Sequence, residues 1–160
     1  MAELDDVYNL KIMELAASIP HGRRLEVRDA TASARSKLCG STITIDIRLD
    51  GDKVADFGQI VQACMLGQSA ASIVGREIVG TPVAEFRAVS AAMRWMLKDG
   101  GPPPAGRWAD LGLLQPVKDY PHRHASTLLV FDAVEHALNE IAAKASGDVR
   151  ASSRGSLPCM

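Results

Sequence analysis

The chain has 160 residues, with 18 basic side chains against 19 acidic ones and a formal net charge of −1. That length buries a real core within one unit. The even charge balance excludes the clustered basic excess that nucleic acid or an anionic membrane surface demands. No run of about 18 uninterrupted apolar residues is present, so no membrane span is expected.

The start, MAELDDVYNL, is acidic and lacks the basic and apolar regions of a secretory leader, which points to the cytoplasm. Residues 3 to 18 place Leu4, Val7, Leu10, Ile12, Met13 and Leu15 at helical spacing, stopping before Ile19-Pro20-His21-Gly22. Residues 21 to 38, HGRRLEVRDATASARSKL, carry charge and hydroxyls with little periodicity and read as an irregular connection. The next segment alternates Ile43, Ile45, Ile47 and Leu49 against Thr42, Thr44, Asp46 and Arg48. Asp50-Gly51 supplies turn chemistry, and a second strand through Val54, Phe57, Ile60 and Val61 completes an antiparallel hairpin.

Leu66 to Arg76 reads as a helix closed near Gly80-Thr81-Pro82. A further helix carries Val83, Phe86, Val89, Met93, Met96 and Leu97 and stops at Asp99-Gly100-Gly101. GGPPPAG is a rigid break, and RWADLGLLQPVKDYP has room for one short helical turn before Pro121. Residues 125 to 145 form a last amphipathic helix, with Ser126 or Thr127 as N-cap candidates. One domain is expected over 1–145, with a flexible polar tail over 146–160. A helix, a hairpin and then several helices make the chain α+β.

The three cysteines, Cys39, Cys64 and Cys159, are an odd number in a reducing compartment. Thiol or metal chemistry is therefore favoured over a disulfide framework. Cys39 lies 12 residues before the hairpin turn at Gly51 and Cys64 lies 13 after it, so antiparallel pairing returns both to one sheet edge. Cys64 also falls at the mouth of a helix, the end of the dipole that attracts anions, and the thiolate is the form that binds metal. Two buried cysteines acting as small hydrophobes are the plainer alternative. YPHRHAS then offers His122 and His124 in a loop able to reach the same edge, and imidazole suits zinc and iron. His21 and His136 look incidental, one in an irregular segment and the other beside Glu135 on a helix.

Cys39-Gly40, the Asp50-Gly51 hairpin, ACMLGQSAAS (63–72), and a histidine ahead of a long amphipathic helix together resemble the iron-sulfur cluster assembly scaffold family. That is the NifU N-terminal domain with its IscU and SufU relatives, and the likeness runs from about residue 5 to 143. It implies an α+β fold in which the hairpin gains a third strand and packs against several helices. It also implies a binding protein rather than an enzyme. On such a scaffold a cysteine desulfurase and an iron source build a [2Fe-2S] cluster for recipient apo-proteins, and zinc is held at the same ligands in some members.

The family pattern is three cysteines and one Asp or His. Cys39 and Cys64 match the first two cysteines, and His124 matches the position before the third, with His122 as a further candidate ligand. Ala125 stands where the third cysteine is expected, and Ser41 where an Asp is. Cys159 is a poor substitute, because ordering a tail costs entropy. LQPVK, Leu114 to Lys118, is similar to the segment that IscU-type scaffolds present to an Hsp70-type chaperone. The longer spacer before the last helix looks more like SufU. Two other readings stay open: a zinc-binding sulfur acceptor that regulates a desulfurase, and a degenerate scaffold that serves as a metal-free interaction module.

Overall fold

The computed structural model describes residues 10–37 and 40–154, the side chains of 146–154 excepted. Leu4 and Val7 of the expected first helix, together with Cys39 and Cys159, lie outside the described residues. Helix α1 (Leu10–Ala17) buries Ile12 completely. Leu10 and Met13, counted on paper as part of its apolar stripe, are 70% and 42% exposed. A short helix that meets the body along one edge can turn only a narrow strip inward.

The stretch expected to be irregular, 21–38, contains a strand. β1 (Ala30–Arg35) pairs antiparallel with β2 (Thr42–Asp50), from Ala30 opposite Ile47 to Arg35 opposite Thr42. Its inward positions are Ala30, Ala32 and Ala34, alternating with Thr31, Ser33 and Arg35. The period of two is present, but methyl groups give it too little hydrophobic contrast to stand out. β2 and β3 (Lys53–Gln62) form the expected hairpin, closed by Asp50 opposite Lys53, with a bulge between Arg48 and Leu49. Gly51 sits at φ 65°, a conformation that side chains bearing a Cβ resist. The result is a three-stranded antiparallel sheet in the order β1–β2–β3, packed against helices: an α+β fold.

Alternation also assigned Asp46 to the outer, polar face of β2, yet it is fully buried. The 21–29 loop folds over it. Arg24 grips the carboxylate through two hydrogen bonds of 2.7 and 3.0 Å, and the Leu25 N–H and the Thr31 hydroxyl donate at 2.9 and 2.6 Å. Burial opposes ionisation, but the donors led by Arg24 outweigh it and hold the carboxyl down at about 2.

On the inner face, Ile43, Ile45, Ile47 and Phe57 are almost wholly buried. The long helix that ends the fold lies across β1 and β2 and supplies Phe131, Val134 and Leu138. α2 (Met65–Glu77) starts three residues beyond β3 and packs on α1. The Ser69 hydroxyl lies 2.8 Å from both the Ile12 and Met65 carbonyls. α3 (Val83–Asp99) ends at Gly100 in the left-handed conformation, as its sequence predicts.

The expected single turn before Pro121 is instead a succession of 3-10 turns over Gly106–Asp119. Trp108, Leu111, Leu114 and Val117 are its buried residues. Their spacing of three matches three residues per turn, so one face of a 3-10 helix carries them all. The expected helix from 125 is split: α4 (His124–Thr127) breaks at Leu128, and α5 runs Leu129–Arg154. Neither Ser126 nor Thr127 caps it, because both hydroxyls donate to the Arg123 carbonyl. No described helix is long and apolar enough to cross a membrane.

Candidate metal centre

At the open end of the hairpin the described residues bring Ser41 to Cys64. The ladder closes with Thr42 opposite Gln62. One step beyond, the Cys64 N–H donates to the Ser41 hydroxyl oxygen at 3.2 Å. Before β2 the chain is drawn in by the Ser36 N–H on the Ser41 carbonyl and the Gly40 N–H on the Ser36 carbonyl, both 2.8 Å. Gly40 takes φ 73° with nothing near its missing Cβ, so it is needed for conformation and not for space. The sheet end that carries Ser41 is thus stitched to the start of α2.

Cys64 is the N-cap of α2, extended at φ −67° and ψ 170°, and it is half-buried. Its side chain is not used to cap the helix. The thiol instead meets the Ser126 hydroxyl oxygen at 3.4 Å, which brings the HAS tripeptide against the second cysteine. Gly67 permits that approach. A Cβ there would lie 3.0 Å from the Ser126 carbonyl oxygen and 2.9 Å from the Ala63 Cβ. The glycine inside CMLGQSAAS is therefore where the first turn of α2 touches the backbone of α4.

His124 is buried at 8% exposure. Its Nε2 lies 3.1 Å from the Val117 carbonyl oxygen and 3.2 Å from that of Lys118. Carbonyls only accept, so Nε2 donates, and in the neutral ring that leaves the lone pair on Nδ1. A second ring nitrogen held by backbone carbonyls is the arrangement that fixes a metal-ligating imidazole. The LQPVK segment thus supports His124 from behind: Leu114 and Val117 face the core and Lys118 faces solvent.

His122 is exposed, its ring edge-on to Tyr120 with centroids 6.4 Å apart. Ala125 is also exposed. His21 packs edge-on against Phe57, and His136 faces solvent. Among the described residues no three His, Cys, Asp or Glu side chains gather closely enough to hold a metal, and Cys39 lies outside that set.

Sequence reasoning missed Ser41 and Ser126 as participants, one read as a poor ligand and the other as a cap. Both sit within two residues of an expected ligand, which was the available signal. Together Ser41, Cys64 and Ser126 form a polar seam joining the hairpin end, the α2 start and the histidine-bearing turn. A half-buried thiol and an imidazole with one free lone pair are chemically suited to soft or borderline metals.

No protein-family model matches the chain. A nitrogen-fixing NifU-like protein (N-terminal) from Brucella abortus superposes on it with a TM-score of 0.86 at 45% sequence identity, covering 88% of this chain and 98% of its own. The iron-sulfur cluster assembly scaffold protein IscU of Thermotoga maritima is 24% identical over 136 residues, covering 84% of this chain and 94% of that protein. In fold, the chain also resembles the putative iron-sulfur cluster assembly scaffold protein for the SUF system from Fervidobacterium islandicum, at a TM-score of 0.78 and 21% identity, covering 85% of this chain and 99% of that one. The chain belongs to the NifU-like (N-terminal) family.

Proposed function

We infer that this chain is an iron-sulfur cluster assembly scaffold whose cargo is a [2Fe-2S] cluster, passed on to recipient apo-proteins. Cys39, Cys64 and His124 are the proposed ligands. His122, on the exposed side of the same turn, is the alternative imidazole. A cysteine desulfurase is the sulfur source, and Leu114–Lys118 is the proposed contact for an Hsp70-type chaperone. The observation that carries this reading is the seam at Cys64. Its N–H lies on Ser41, two residues after Cys39, and its Sγ lies on Ser126, two residues after His124. That Ser41 and Ser126, each two residues from another proposed ligand, both meet Cys64 is what supports this set. His124 is preferred to His122 because its Nε2 is already held by two carbonyls, leaving Nδ1 for metal.

The mechanism that follows is one of holding and release. Cys64 and His124 present one sulfur and one nitrogen to the metal. The half-buried seam limits access of water to that side. Ser41 and Ser126 keep the α2 start and the histidine turn in register while cargo comes and goes. In this chain no thiol stands at position 125, so sulfur delivered by the desulfurase would be accepted at Cys39 or Cys64.

A second reading is favoured by the longer spacer before the last helix, which resembles the SufU branch. With the two thiolates and the two imidazoles of His122 and His124, four donors would suit tetrahedral zinc, and the protein would then act as a zinc-binding sulfur acceptor for the desulfurase. Anaerobic reconstitution with iron, sulfide and a desulfurase separates the two, read by visible absorption and metal analysis on wild type and Cys64→Ala. A [2Fe-2S] chromophore lost in the variant supports the scaffold. One equivalent of zinc without a chromophore supports the second reading. Binding of neither leaves only a metal-free interaction module.

A further inference from the structure

We propose that Ser126 is a positioning residue for Cys64, its hydroxyl turning from the Arg123 carbonyl to the Cys64 sulfur when metal displaces the thiol proton. The proposal rests on the reading of Cys64 as a ligand. In the metal-free chain the pair is arranged for the opposite polarity. The thiol donates to the Ser126 oxygen at 3.4 Å, and the Ser126 hydroxyl spends its one proton on the Arg123 carbonyl at 3.2 Å. A metal-bound sulfur has no proton and can only accept. If the hydroxyl stayed where it is, two lone-pair-bearing atoms would face each other inside a group that is 3% exposed.

The structure supplies the way out. The Thr127 hydroxyl also donates to the Arg123 carbonyl, at the shorter distance of 2.9 Å. That carbonyl therefore stays satisfied when Ser126 leaves it, and a rotation about one bond swings the Ser126 proton toward sulfur. The displaced thiol proton passes to water, and no other atom need move. A hydrogen bond to a ligating sulfur withdraws electron density from it, one of the means by which a protein tunes a metal–thiolate centre. Ser126 thereby both aims the sulfur and softens its charge, in a chain that has one thiol fewer than the resemblance expects.

Two readouts test this on the full-length chain. In the metal-free protein, the infrared S–H stretch of Cys64, assigned by its loss in Cys64→Ala, moves to higher frequency in Ser126→Ala as the acceptor disappears. In the cobalt(II)-loaded protein, the thiolate-to-metal charge-transfer band moves to longer wavelength in Ser126→Ala. Thr127→Val preserves shape but makes Ser126 the remaining hydroxyl on Arg123, so it moves that band in the same direction by a smaller amount. A merely structural serine would not link Thr127 to the spectrum of Cys64. A cobalt band in the wild type that neither variant shifts overturns the proposal while leaving Cys64 a ligand. A wild type whose cobalt spectrum equals that of Cys64→Ala overturns both.

Discussion

Asp46 offers a direct test of how the 21–29 loop is held. The carboxylate is fully buried and ringed by Arg24, Thr31 and the Leu25 N–H, and these donors hold it at about 2 instead of the ordinary 3.8. A folded-state value below the unfolded one means that the ion stabilises the fold at any pH above the unfolded value. That stability is then lost as pH falls through the folded value. The gap corresponds to about 2.5 kcal/mol at ~1.36 kcal/mol per pH unit. Arg24 is half in water, so screening trims this to about 2 kcal/mol. The window of loss runs from roughly pH 5 down to about pH 2.

Urea denaturation of wild type and Asp46→Asn across that range reads the effect as a difference. This matters because Glu85 and Glu135 are also held below their ordinary values and contribute their own acid dependence. At pH 7 the variant should be weaker by about 2 kcal/mol, a drop of roughly 4–8 °C in midpoint temperature. As the pH falls, the two curves should converge. Parallel curves, with the same gap at neutral pH and at the acid end of the window, would mean that the substituted amide costs packing and not charge. The account of the carboxylate as the anchor of the loop would then be wrong.

Three further outcomes bear on the candidate centre. Gly67→Ala gains about 1 kcal/mol of helix propensity but drives a methyl to 3.0 Å from the Ser126 carbonyl; overpacking of about 1–3 kcal/mol leaves it less stable, with weaker cobalt binding, and unchanged binding would dissociate the α2–α4 contact from the site. His124→Gln places an amide N–H where Nε2 donates to Val117 and Lys118 but has no counterpart to Nδ1, so stability by thermal melt should hold while metal affinity falls roughly 10-fold or more. Equal affinity would remove His124 from the ligands. Ala125→Cys, at an exposed position, should leave stability within about 0.5 kcal/mol and tighten zinc in a chelator competition; no tightening would mean that position 125 faces away from the centre.

The parts legible in the sequence were those with strong contrast. Four alternating aliphatics and an Asp-Gly turn announced the β2–β3 hairpin, and Gly100 announced the end of α3. β1 was hidden because alanine at 30, 32 and 34 supplies the right period with little hydrophobic amplitude. The 3-10 run was hidden because Trp108, Leu111, Leu114 and Val117 drift around a helix of period 3.6; at a period of three they form one stripe. Asp46 defied the alternation because its partners, Arg24 and Thr31, come from 22 and 15 residues away, and no local pattern encodes them. At the candidate centre the pairing of hairpin ends followed from counting residues about Gly51. What joins those ends to the histidine turn is made of serines and one glycine, residue types that announce nothing on their own.

That composition has a physical consequence. Ser41 and Ser126 stand at or next to the positions where the resemblance expects an Asp and a third Cys, and each makes a hydrogen bond to Cys64. An aspartate or a thiolate at those places would bring negative charge beside Cys64, and that charge opposes loss of the Cys64 proton unless a cation lies between them. Neutral hydroxyls bridge the same gap in the empty protein without that cost. On the proposed reading, the seam stays closed before cargo arrives, its atoms held by dipoles instead of by metal. The cost falls on the loaded form, which has fewer anionic ligands to neutralise a cation, and on that ground cargo should be held less tightly and released more readily than on a scaffold with the full set. The ratio of cobalt dissociation rates between wild type and a Ser41→Asp, Ala125→Cys double variant measures this directly. Slower release from the double variant bears the argument out, and equal rates would show that ligand charge does not govern holding here.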